Sequence, residues 1–111
     1  MNVSRFALRF ALAALCALPA THALAQAQDG RWNCQVGGVD MELTIAGEQA
    51  MLAFGNGERF TLKLDPTRTR PFYTDGKVAL RLSGGGPDST RSPEWVRGGT
   101  ATTIERCVRT P

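Results

Sequence analysis

Few side chains in this sequence could act together chemically. The only histidine, His22, lies within the first 25 residues, and the three cysteines are Cys16, Cys34 and Cys107. Residues 1–25 read as a secretory signal peptide. Arg5 and Arg9 give a basic start, residues 10–18 an apolar run, and Ala23-Leu24-Ala25 small residues around a cleavage point. The apolar run falls well short of the roughly 20 residues a spanning helix needs, so a membrane-spanning protein is not expected. The exported chain, 26–111, then has no histidine. That excludes a Ser-His-Asp triad, a Cys-His pair and a His-ligated metal. Two cysteines alone cannot complete a structural zinc site, and neither metal nor cofactor is expected.

What remains suits recognition rather than catalysis. Thr67-Arg68-Thr69-Arg70-Pro71 alternates hydroxyls with guanidiniums, and Trp95-Val96-Arg97-Gly98-Gly99 sets a cation beside a glycine pair. A hydroxyl can donate to or accept from a carboxylic acid, and a guanidinium can hold a carboxylate through two parallel N–H bonds. Asp40, Glu42, Glu94 and Glu105 stand in alternating patterns that mark the wet face of strands, so an acid–base pair and an enzyme are not expected. Residues 26–111 carry 11 basic groups, the 13 less Arg5 and Arg9, against 10 acidic ones. A balance near neutrality removes the electrostatic basis for binding nucleic acid.

The elements that must position these residues are strands. Val39, Met41, Leu43 and Ile45 alternate with Asp40, Glu42 and Thr44, and Phe60, Leu62 and Leu64 alternate with Thr61 and Lys63. Asn56-Gly57 predicts a hairpin with a type I′ turn. Asp65-Pro66 ends the strand before the hydroxyl–cation stretch, since proline has no N–H for the ladder. Val78, Leu80 and Leu82 form a further row, residues 83–93 a long loop, and Glu94 and Thr100 open the last strands. Six to eight short strands without helical periodicity predict an all-β domain. Closure into a small antiparallel β-barrel is favoured because it removes edges a small sheet could not otherwise protect.

Cys16 follows Leu15, a bulky residue where lipidation needs a small one, so a soluble product released after Ala25 is expected, located in the periplasm. There Cys34 and Cys107, near the two ends of the exported chain, are expected to pair as a disulfide. In the chain-entropy treatment such a loop is worth about 4.4 kcal/mol, an upper figure.

The order of Trp32-Asn33-Cys34, Gly57-Glu58-Arg59-Phe60-Thr61-Leu62, Tyr73-Thr74-Asp75-Gly76, Trp95-Val96-Arg97-Gly98-Gly99-Thr100-Ala101 and Cys107 resembles the C-type lysozyme inhibitors of Gram-negative bacteria, the MliC/PliC family. Their signature is Ser-Gly-x-x-Tyr followed by Lys-Gly-x-x-Ala. Here Thr69 and Arg70 stand at the Ser-Gly positions before Tyr73. The lysine falls on Arg97 if a 14-residue insertion is accepted, or on Ser83 without a gap, in which case the cation is lost; Arg97 is preferred. The resemblance implies a periplasmic inhibitor with C-type lysozyme as partner and Thr69, Arg70, Tyr73 and Arg97 as its contact residues. Thr69 and Arg97 would then enter the enzyme's cleft together and occupy its two carboxylates. The alternatives are an interaction module without lysozyme inhibition, and a carrier of small ligands in the barrel interior. Monomer and dimer both stay open.

Overall fold

The computed structural model describes residues 28–83, 86–89 and 91–111; the segment expected to be a signal peptide, with Cys16 and His22, lies outside them. Eight strands follow one another: β1 Gly30–Val36, β2 Val39–Ala46, β3 Gln49–Phe54, β4 Arg59–Leu64, β5 Phe72–Thr74, β6 Val78–Arg81, β7 Glu94–Arg97 and β8 Thr100–Arg109. Each pairs antiparallel with the next, and β8 returns to β1, closing a barrel in simple sequence order. No helix long and apolar enough to cross a membrane occurs among the described residues.

The alternation of the sequence decides which way each side chain points. Trp32, Leu43, Ile45, Leu52, Tyr73 and Leu80 face inward and are fully buried, while Asp40, Thr61 and Lys63 face solvent. An eight-stranded barrel has an interior only wide enough for its own side chains. Trp32 and Tyr73 are the largest of those that fill it. Two concavities, about 390 and 240 Å³, open on the wall around Asp40–Glu42–Gly55 and Met51–Ala53–Thr61.

The tight turns follow from glycine. Gly98 and Gly99 both take positive φ (59° and 78°), the pair of left-handed residues a type I′ hairpin needs. The turn at Asn56-Gly57 departs from the type I′ expectation. Only Gly57 has positive φ there (97°). Gly57 N–H donates to Phe54 C=O at 3.0 Å and Phe54 N–H to Glu58 C=O at 2.8 Å. This is the three-residue loop with a glycine bulge. Asn56 keeps negative φ and uses its Oδ1 to accept the Glu58 N–H at 3.0 Å.

Strand lengths are uneven. β8 and β1 to β4 have 6 to 10 residues, whereas β5, β6 and β7 have 3, 4 and 4. A broad sheet is thus closed by a narrow one. The β4–β5 seam is only two residue pairs long, Lys63 with Thr74 and Leu64 with Tyr73.

The other closure, β1 against β8, is irregular between Asn33 and Gln35, where Arg106 takes φ 56°, the one non-glycine with positive φ among the described residues. This bulge brings Cys107 opposite Cys34. The two form the expected disulfide, with Cα atoms 4.1 Å apart and a sequence separation of 73.

Candidate functional site

In a barrel whose strands run alternately up and down, successive connections lie at alternate ends. The upper rim carries the connections at 37–38, 55–58, 75–77 and 98–99; the lower rim carries those at 47–48 and 65–71, and there β6 ends and β7 begins. Hydrogen bonds confirm the grouping. Leu64 N–H donates to Glu48 C=O at 2.8 Å and Leu82 N–H to Pro71 C=O at 3.0 Å, both on the lower rim.

On that rim, the 65–71 connection is fastened at its ends and free at its tip. The Asp65 carboxylate accepts from the Thr67 hydroxyl at 2.6 Å and from the Thr67 N–H at 3.0 Å. These two bonds, the hydroxyl first, hold the Asp65 carboxyl below the usual aspartate range. Arg68 lies 3.6 Å from Asp65 and stacks 4.0 Å above the Phe72 ring. Pro71 is buried and anchored through Leu82. Thr69 and Arg70 are left at the exposed tip, and Arg70 forms no ion pair among the described residues. Ser83 and Arg91 belong to the neighbouring 82–93 connection, Arg91 exposed and likewise outside the ion pairs.

On the upper rim, Arg97 is spent internally. Arg97 Nη1 and Nη2 donate to Glu58 Oε1 and Oε2 at 3.0 and 2.7 Å, a two-point fork. The guanidinium also lies 5.5 Å from the Phe60 ring. Beneath it, Trp95 contacts Phe54 and Phe60, with ring centroids 5.4 and 5.1 Å apart. The bond from Arg97, then that from Asn56, pulls the Glu58 carboxyl below its ordinary value, and Glu58 raises Arg97 in turn.

Two expectations from the sequence need correction. Thr69 and Arg97 do not share a face. The first follows the fourth strand and the second ends the seventh, so they lie at opposite ends of the barrel, separated by roughly the length of β4, about 20 Å. The residue beside the Thr69 loop is Ser83, the position given by the ungapped register. Tyr73 is fully buried: it packs the core and offers a partner no surface. Glu58, the residue that commits Arg97, was missed, and strand parity was the signal for both errors. Among the described residues no three His, Cys, Asp or Glu side chains converge as a metal would require.

Comparison with protein-family models, with curated proteins and with solved structures returned no match for this chain.

Proposed function

We propose that the exported chain is a protein-binding inhibitor of C-type lysozyme that engages the enzyme from its lower rim alone. The observation that carries this reading is the pinned 65–71 connection with Thr69 and Arg70 at its exposed tip. A loop fixed at both ends loses little entropy on binding. The target chemistry is a pair of carboxylates flanking a scissile glycosidic bond, about 5–5.5 Å apart in a retaining enzyme. Adjacent residues have Cα atoms about 3.8 Å apart, so one hydroxyl and one guanidinium on consecutive positions can address both groups. Arg70 pairs with the ionised carboxylate, Thr69 bonds to the protonated one, and Arg91 adds charge from the next loop. Blocking a cleft requires no catalysis by the inhibitor.

A carrier role draws no support, because Trp32, Tyr73 and the leucine rows occupy the interior. The test is titration of the disulfide-bonded protein into a C-type lysozyme acting on cell walls. Wild type stops lysis near stoichiometric amounts, and Arg70→Ala needs at least about tenfold more, as expected when a charge-assisted bond is lost. Lysis unaffected by micromolar wild-type protein refutes the proposal.

A further inference from the structure

We infer that the upper half of β4 is a strand-addition site for an extended acidic peptide segment, a second interaction surface independent of the lower rim. The inference starts from the direction of the main-chain groups. Phe54 N–H donates to Glu58 C=O and Leu64 N–H to Glu48 C=O, so the even-numbered residues of β4 bond toward β3. Asp65 N–H donates to Phe72 C=O, so the odd-numbered ones bond toward β5. The β3–β4 register is unbroken from Ala53–Arg59 to Gln49–Lys63, and this alternation runs through the whole strand.

On the β5 side, however, pairing stops at Lys63–Thr74. The next position on β5 would be the turn at 75–77, where Asp75 accepts from Lys77 and Val78 N–H at 2.8 and 3.0 Å and leads the chain into β6. Arg59 and Thr61 therefore each present an N–H and a C=O to a side where no strand pairs with them, and both residues are exposed. An edge of this kind accepts an extended segment by main-chain hydrogen bonding, with side chains setting specificity.

Charge identifies the occupant. Arg59, Lys63 and Lys77 surround the edge, all exposed, and none takes part in an ion pair among the described residues. The nearby acids are engaged elsewhere, Glu58 by Arg97 and Asp75 by its own turn. A second copy of this chain would bring the same cations against themselves. An added strand carrying acidic residues outward meets Arg59 and Lys63, and its inward residues meet Phe60, which is half-buried against Trp95.

The test uses isotope-labelled exported protein and two short blocked peptides, one alternating Glu with Val and one alternating Lys with Val. The Glu peptide shifts the amide resonances of Arg59 and Thr61 and slows their hydrogen exchange; the Lys peptide does neither. Thr61→Pro removes a donor that serves nothing inside the barrel, so this variant folds and binds the Glu peptide at least about fivefold more weakly. Arg59→Glu reverses the preference between the peptides. The proposal is overturned if neither peptide binds, if the shifts are confined to Thr69 and Arg70, or if the Thr61 amide is already protected in the free protein. Those outcomes leave lysozyme inhibition untouched, and failure of inhibition leaves this edge untouched.

Discussion

Arg70 and Arg97 are the same residue type on two rims of one small barrel, and their surroundings give them different work. Arg97 is held by both oxygens of Glu58 above an aromatic cluster of Phe54, Phe60 and Trp95. It joins the β3–β4 hairpin to the end of β7 where the short strands β5 and β6 leave the wall low. Arg70 stands at the tip of a connection whose own contacts, the bond Asp65 accepts from Thr67 and its ion pair with Arg68, bypass it. A guanidinium already paired must surrender two charge-assisted bonds before it can grip a partner, whereas an unpaired one on a fixed loop need not. Cations are common on both rims; what separates these two is that Arg97 is committed to Glu58 while Arg70 stands unpaired among the described residues at the tip of a fastened loop.

The contrast is broken most severely by removing what holds both rims in place. Trp32→Ala empties the barrel interior and is expected to cost about 3–5 kcal/mol, measured by denaturant unfolding. Replacing Cys34 and Cys107 together by serine costs up to about 4.4 kcal/mol by the same measurement. Both variants lose function only as they lose structure, so neither separates the rims. Arg97→Ala does: the proposed inhibition of lysozyme is expected to stay at the wild-type level, while amide exchange accelerates in the 55–58 connection that Glu58 no longer tethers. If Arg97→Ala instead abolishes inhibition in a folded protein, the assignment of roles is inverted.

Acid sharpens the comparison further. Glu58, Asp65 and Asp75 all have folded pKa values below their ordinary 4.5, 3.8 and 3.8. Their contribution is thus fully present above those values and is lost as pH falls through the lower folded ones. Residues 26–111 contain no histidine. Stability measured by thermal unfolding is therefore expected to be flat between about pH 5 and 8 and to decline below about pH 4. Because none of these groups is buried, the decline is modest. The smallest effect belongs to the bulge. Arg106→Gly relieves a left-handed residue and raises stability by at most about 1 kcal/mol, with no change at either rim.

Much of the fold was legible because each inward row is written in period two. Val39, Met41, Leu43 and Ile45 fix the face of β2, and Gly98-Gly99 fixes a hairpin that only two left-handed residues can make. The disulfide was legible from two cysteines near the two ends of residues 26–111, a segment expected to be exported. The type I′ turn at Asn56-Gly57 was not, because the same dipeptide serves the three-residue loop when Asn56 keeps negative φ. The pairing of Thr69 with Arg97 failed for a different reason. Local motif matching ignores that each further strand reverses direction, and three strands separate these residues. The Arg97–Glu58 bond spans 39 positions, and nothing local in either segment announces it.

Hydrogen-exchange footprinting of the protein in complex with a C-type lysozyme tests the central claim most directly. The account predicts protection concentrated on the 65–71 connection, with the 55–58 and 98–99 connections exchanging as in the free protein. Protection at 55–58 and 98–99 with the 65–71 connection unchanged contradicts it.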